Sequence, residues 1–347
     1  MRLPSPRGPL TAGLFPALRG ISPLPVDELV ALVGNADCGT AELEDDDVHS
    51  ALWVAYQLHY TGFDEVDHRW EWDPDLLRVR RALEDRFLAE LRVRTADLVQ
   101  DALQAEGSVA DRLFAMTETF EAPALAAYLR RDATRDEMFE LLVQRSIHNL
   151  QESDPQAFLL PRVGGAPKVA LAELLFDEFG AGRPERLHSG LFARGLAECG
   201  LDDEPGAYAS VVPGVTLAFM NGMNLFALHR GHTAAALGHF GAYEATSSVP
   251  SRLVVAAVER LQFPASVRAY FDEHVEADAV HEQLAFRDIC GGFAEADPAA
   301  VHDLFFGAAV CLVTDADVSR HLLLSWGEGR SSLATSADAL VPSDQVA

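Results

Sequence analysis

Lysine is nearly missing from this 347-residue chain: Lys168 is the only one, and every other basic side chain is arginine. That bias reflects genomic base composition and carries no functional weight. Positive charge as a whole is scarce. The 53 acidic residues face 27 basic ones, a formal net charge of −26, which would repel phosphate backbones and anionic lipid surfaces. Neither a nucleic-acid nor a membrane partner is expected. Cysteine is also sparse. Cys38, Cys199, Cys290 and Cys311 lie far apart with no Cys-x-x-Cys pair, so neither a disulfide framework nor a thiolate metal knot is indicated, and a reducing cytoplasm fits best. No run reaches the roughly 18 consecutive apolar residues of a membrane span. Prolines 4, 6 and 9 interrupt any leader core behind Arg2 and Arg7, so a soluble, non-secreted protein is expected. Ser189 and Ser210 sit in no Gly-x-Ser-x-Gly elbow, no cysteine carries a nucleophile motif, and the surroundings of Gly291-Gly292 are too poor in glycine for a phosphate loop. Covalent and nucleotide chemistry are unsupported.

What the chain does have is hydrophobic residues, 49% of the total, enough for a sizeable core, and they recur with helical period. Leu77, Val79, Leu83, Phe87, Leu88, Leu91 and Val93 predict a long helix over 74–104; further helices are expected near 107–131, 135–153, 166–180, 184–199, 213–229, 232–247, 264–294 and 297–324. Breaks at Asp154-Pro155, Gly180 to Pro184, Gly200, Pro213, Gly231, Pro250 and Pro264 fall between them. There is no alternation long enough for a sheet and no fixed repeat. The fold class read from this pattern is all-α. Six prolines within residues 1–25 argue for an irregular arm. An accessory helical region over 26–132 and a main helical domain over 133–326 follow, and a Ser-, Ala- and Asp-rich tail over 327–347 reads as flexible.

Candidate chemistry lies in that main domain. His274, Asp278 and His281 stand at steps of four and three, so one helix face would present two imidazoles and a carboxylate, a metal-binding face. Glu185 and His188, three apart, offer a second half-site. Two half-sites suggest a two-metal centre. Glu152, Glu178 and Glu244 lie on otherwise apolar helical segments. Taken singly, several have ordinary explanations. Glu152 could be an exposed helix end, Glu178 beside Asp177 a solvated acid, and Glu185 a first-turn acid favoured by the helix dipole. His148, four residues before Glu152, reads better as a buried histidine bonded to a carbonyl than as support for a ligand.

The ordered set of a Glu, a Glu-x-x-His, a Glu and a His-x-x-x-Asp-x-x-His resembles the haem-oxygenase-like diiron oxidases and oxygenases, also described as iron-containing redox enzymes. The stretches Gly-Arg-Pro-Glu-Arg-Leu-His-Ser-Gly-Leu-Phe, Tyr-Glu-Ala-Thr-Ser-Ser-Val-Pro-Ser-Arg and Tyr-Phe-Asp-Glu-His-Val-Glu-Ala-Asp-Ala-Val-His-Glu-Gln are similar to actinobacterial members, and the likeness covers roughly residues 135–325. It implies a seven-helix bundle with metals among the core helices, and iron ligation by Glu152, Glu185, His188, Glu244, His274, Asp278 and His281. Glu178, ten residues before His188, resembles an additional carboxylate of the N-oxygenating members. Residues 26–132 would then form an accessory region at a homodimer interface.

The resemblance further implies two iron ions, O2 as co-substrate, an external reductant and a small-molecule substrate, with a peroxo-diferric species on the path. Manganese accepts the same donors, so a mixed manganese/iron centre stays open. Glu178 tilts the reading toward N-oxygenation of an amine or guanidine; desaturation or C–C cleavage of an amino or fatty acid is the alternative by the same centre. A metal-free relative of thiaminase or quinone-forming type would need a nucleophilic cysteine or a basic anion pocket, a haem oxygenase one proximal histidine without a carboxylate ring, and a binding protein no converging acids at all.

Overall fold

The structure, a computed structural model, describes residues 1–35 and 45–334, without the side chains of residues 35 and 276–280. Its elements are α1 (Pro9–Leu18), α2 (Val26–Asn35), α3 (Asp46–Gln57), α4 (Pro74–Gln104), α5 (Val109–Thr119), α6 (Leu125–Arg131), α7 (Arg135–Asn149), α8 (Asp154–Ala157), α9 (Gly165–Glu178), α10 (His188–Glu198), α11 (Gly214–Leu228), α12 (Thr233–Arg260), α13 (Ala265–Gln283), α14 (Gly292–Ala296) and α15 (Val301–Gly327). Among the described residues there is no strand, and the protein is all-α as expected.

The centre of the molecule is the crossing of α12 and α15, with α13 along the other side of α12. Two glycines set that crossing. A Cβ on Gly238 would stand 1.9 Å from the Leu304 carbonyl oxygen, and one on Gly307 1.8 Å from that of Ala235, so the two backbones touch where neither helix has a side chain. α15 is long and apolar enough to cross a membrane, but its apolar stretch lies mostly buried here, packed against α12, α4 and α11.

Three expectations need correction. Residues 9–18 of the supposed irregular arm are helical, with Leu14 and Phe15 in the core. Pro9 occupies the first turn, where its missing N–H has no helical partner to lose, and the Asp47 carboxylate accepts from the Leu10 and Thr11 N–H groups at 2.7 and 2.9 Å. Pro250 does not end its helix: α12 runs through it, because buried residues before it (Ala242, Glu244) and after it (Ser251, Val254) hold the helix against the lost hydrogen bond and the ring clash. The tail is docked at its start. Ser332 donates through N–H and Oγ–H to the buried Glu140 carboxylate at 2.8 and 2.7 Å, and the expectation for 335–347 lies outside the described residues.

Candidate metal centre

Four core helices and two turns deliver the acidic and imidazole groups. α7 starts on a capping box, Thr134 with Glu137, and ends at Leu150. The chain then turns sharply with Ser153 in the left-handed region (φ 66°), an unusual conformation for a serine that holds Glu152 inward. α9 delivers Glu178 in its last turn. Gly180 (φ 80°) reverses the chain so tightly that a Cβ would lie 2.4 Å from the Arg183 carbonyl oxygen. The reversal brings His188, first residue of α10, back beneath Glu178. α12 carries Glu244. α13 carries His274 and His281 two turns apart and is followed by a π-helical stretch, Leu284–Gly291, a distortion frequent beside functional sites.

Two buried triads result. In one, Glu152, His188 and His274 offer ligand atoms all within 4.8 Å of one another; in the other, Glu178, Glu244 and His281 do the same. The triads meet at Glu178, whose Oε2 lies 3.2 Å from Nδ1 of His188 and whose Oε1 lies 3.5 Å from Nδ1 of His281. Tyr270 donates its hydroxyl to both oxygens of Glu152, at 3.1 and 2.9 Å, and Ser153 donates to Glu178 at 2.9 Å. Nδ1 of His274 lies 2.8 Å from the Tyr270 carbonyl oxygen, which makes it the protonated nitrogen and leaves a lone pair on Nε2. That nitrogen faces Oε1 of Glu152 at 3.3 Å. Two acceptors that close in a dry site need a proton or a cation between them. His281 Nδ1 stands likewise 3.2 Å from Oε2 of Glu244.

Protonation follows the same logic. Burial opposes the charge on Glu152, but His274, His148 and His188 outweigh it and hold the carboxyl down to about 2. Glu178 is lowered against its burial by His188, and His188 is raised against its own burial by Glu178 and Glu152. Without metal, protons on the imidazoles must supply the positive charge. Hard carboxylate oxygens and borderline imidazole nitrogens, two sets side by side, suit a pair of first-row divalent ions such as iron. The residues present therefore fit the group that the sequence implies.

Of the eight residues named from the sequence, the structure brings together Glu152, Glu178, Glu244, His188, His274 and His281. Glu185 is not among them. It is exposed, in a short 3-10 turn (Pro184–Arg186) ahead of α10, and its carbonyl accepts from Arg194. The three-residue spacing aligns side chains only within one helix, and here the non-helical Leu187 separates the two. Asp278 lies on the continuous backbone of α13, but its side chain is outside the described residues. His148 is buried, with Nδ1 2.9 Å from the Asn149 side-chain oxygen and 3.3 Å from the Tyr243 hydroxyl, so its partners are side chains and not the expected carbonyl. Sequence reasoning overlooked Tyr270, although its place four residues before His274 puts it on the same helix face.

Beside the first triad lies a cavity of about 190 Å³, more than ten times the roughly 10–15 Å³ that one water needs. His274, Tyr270 and Tyr243 line its inner end, and Leu129, Leu141, Val254, Phe271 and Leu312 form apolar walls. A molecule in it would touch the His274 side of the centre.

The family model described as iron-containing redox enzyme matches residues 139–316, just over half of the chain. No curated protein matches. Two solved structures of a CADD-like protein of unknown function from Nostoc punctiforme PCC 73102 are similar. One, at 2.00 Å resolution, has 20% identity and TM-score 0.46 and covers 68% of this chain and 98% of that one; the other, at 1.35 Å, has 18% identity and TM-score 0.45 and covers 70% and 97%. By its family match, which spans all six clustered residues, the chain belongs to the haem-oxygenase-like iron-containing redox enzymes.

Proposed function

We propose that this oxidoreductase holds two iron ions and uses dioxygen to oxidise a small molecule, with N-oxygenation of an amine or guanidine as the preferred reaction. The observation that carries the two-metal reading is Glu178, which turns one oxygen toward each triad and so has the reach of a bridging carboxylate. Glu152, His188 and His274 would hold one ion; Glu244 and His281, with Asp278 as the helix register suggests, would hold the other. Glu178 takes the place that spacing alone gave to Glu185, and the count of four carboxylates balances two ferrous ions. Iron with such donors and open positions binds and activates O2.

The protein's own groups do the rest. Tyr270 and Ser153 orient Glu152 and Glu178 by donated hydrogen bonds, the role that outer partners play at metal sites. The Tyr270 carbonyl fixes the tautomer of His274. The apolar cavity walls exclude bulk water around a bound substrate. An external reductant, a homodimer built on the 26–132 region and a cytoplasmic setting complete the reading. The described cysteines, Cys199, Cys290 and Cys311, are free thiols, and Cys38 lies outside the described residues.

Anaerobic Fe(II) loading followed by metal analysis tests the centre. Wild-type protein is expected to retain two irons per chain, His281→Ala and Glu178→Ala at most one, and Glu185→Ala still two. Retention of two irons by Glu178→Ala, or of none by the wild type, would refute the reading. Manganese offered alongside iron settles the mixed-metal alternative. O2 uptake over a panel of amines, amino acids and fatty acids, with product analysis, separates N-oxygenation from desaturation and C–C cleavage.

A further inference from the structure

The cavity beside the metal triad contains an ion pair that its apolar walls do not require. Arg145 of α7 and Asp315 of α15 both line it, and their contact is long, 3.5 Å from Nη2 to Oδ1. Among the described residues this is the guanidinium's only ion pair. The side chains keep 29% and 39% of their surface accessible, although both come from helices at the centre of the bundle, and they share the cavity as a lining. Two residues further along α15, Asp317 shows what a closed structural pair looks like here. Arg94 meets it with two nitrogens, at 2.6 and 2.9 Å, and Asp317 retains only 11% of its surface. The Arg145–Asp315 pair has neither the second contact nor the closure. A guanidinium has five N–H donors in a planar fork, and here most of them point at nothing the protein supplies.

An open pair of opposite charges side by side in an apolar cavity is complementary to a ligand that carries opposite charges side by side. An α-amino acid holds its carboxylate and ammonium on one carbon. We propose that Arg145 and Asp315 are the substrate-anchoring residues of this enzyme. The carboxylate of an α-amino acid pairs with the Arg145 fork, its ammonium pairs with Asp315, and its side chain lies along the apolar wall within the cavity that His274 borders. The pair fixes specificity from both sides. A plain carboxylic acid would leave Asp315 facing an uncharged group, a plain amine would leave Arg145 unmatched, and each unmatched buried charge costs binding. Asn149 and Tyr243, which also line the cavity, add neutral polar groups near the head-group position. This inference deepens the functional reading above by naming a substrate class, but binding at the clamp needs no metal.

The two are therefore separable by experiment. The full-length protein, prepared once iron-free and once iron-loaded, is titrated calorimetrically with the proteinogenic α-amino acids and, for those that bind, with their decarboxylated amines and deaminated acids. At least one amino acid is expected to bind at least tenfold tighter than both of its analogues. Arg145→Gln should weaken that amino acid and its deaminated acid tenfold or more. Asp315→Asn should weaken the amino acid tenfold but leave the deaminated acid unchanged or tighter. Arg145→Lys, which keeps the charge and loses the fork, serves if Arg145→Gln does not fold, and is expected to show an intermediate loss for the same two ligands. Equal affinity for an amino acid and its analogues, an unchanged Kd in Asp315→Asn, or no binding by any amino acid would overturn the clamp, even with two irons in place. Amino-acid binding that persists in a protein that takes up no iron would uphold the clamp and sink the metal reading instead.

Discussion

Two places in this molecule bury histidines with acids, and they settle their charge in opposite ways. Toward the N-terminal side, Glu84 on α4 forms an ion pair with Arg80 at 3.1 Å and meets His229 at 2.8 Å. Arg80 also reaches Nε2 of His59, whose Nδ1 faces Glu71 at 3.2 Å. A guanidinium sits in the middle of that cluster, and burial together with its charge keeps His59 neutral by lowering its pKa. In the metal centre, by contrast, the hydrogen-bond and ion-pair partners described for Glu152 and Glu178 are histidines, a tyrosine and a serine, and the charge of Arg145 acts on Glu152 only from a distance. The same residue types make a closed structural network where a permanent cation is built in, and an open cage where it is not. Buried acid and imidazole content alone therefore does not mark a metal site; the missing counter-charge does.

The comparison breaks first at Arg80. Replacing it with Met takes the permanent cation away from the buried Glu84, and such removal of one partner from a buried pair typically costs about 3–5 kcal/mol. Urea unfolding of the iron-loaded Arg80→Met protein should show a loss of that size with iron stoichiometry unchanged. A variant that instead loses iron but not stability would mean that the two clusters are one coupled system.

Removing metal is the matching operation on the other cluster. At free iron of about 100–1,000 times Kd, binding adds roughly 2.7–4.1 kcal/mol, and without it the carboxylates repel one another in a low-dielectric core. Chelation should lower the melting temperature of the wild type markedly and that of a Glu178→Ala, His281→Ala double variant, which keeps only the Glu152, His188 and His274 triad, by clearly less. An unchanged melting point in the wild type would remove the claim that iron supplies the missing positive charge.

A third buried histidine sharpens the contrast, because it has neither acid nor arginine. His239 on α12 is fully buried, neither ring nitrogen has a hydrogen-bond partner, and burial pushes its pKa down to about 3. The unfolded chain, near 6.5, binds the proton that the folded chain refuses. Folding stability is thus undiminished above pH 6.5 and falls as pH drops toward 3, by up to about 1.4 kcal/mol per unit. His239→Leu should flatten that acid limb by about 2 kcal/mol at pH 5. Equal pH slopes for the variant and the wild type between pH 6.5 and 4 would show that the ring finds a proton acceptor in the folded state.

The sequence made the fold class and most of the cage legible, and the reasons differ by residue. His274 and His281 could be read because both lie in one uninterrupted helix, where spacing translates directly into direction. Sequence spacing ranks Glu185 ahead of Glu178, the reverse of the observed order, because the choice between them depends on a turn. Gly180 and the non-helical Leu187 decide which acid faces His188, and turn geometry is a three-dimensional outcome that no period encodes. The N-terminal helix was hidden for a related reason. Its start is capped by Asp47, 36 residues downstream of Thr11, a contact invisible to any local pattern. Arg145 and Asp315 are 170 residues apart and became a pair only when α7 and α15 were packed.

Tyr270 offers the smallest and most discriminating test of the contrast. Its hydroxyl donates to both oxygens of Glu152, and burial with the negative charge of Glu152 keeps that proton on it by raising its pKa well above normal. If Glu152 were only one member of a structural network like that around Glu84, Tyr270→Phe would cost the ordinary price of a lost hydrogen bond, about 0.5–1.5 kcal/mol, and nothing else. If Glu152 is a metal ligand, the hydroxyl also fixes the carboxylate's orientation, and losing such a partner typically weakens metal affinity about 10–100-fold. The expected outcome is a modest stability loss in both forms together with a 10–100-fold weaker affinity for one of two irons, measured by anaerobic titration. A stability loss with both iron affinities intact would show that the Tyr270 hydroxyl does not position Glu152 for a metal and would place that hydrogen bond with the structural ones around Glu84.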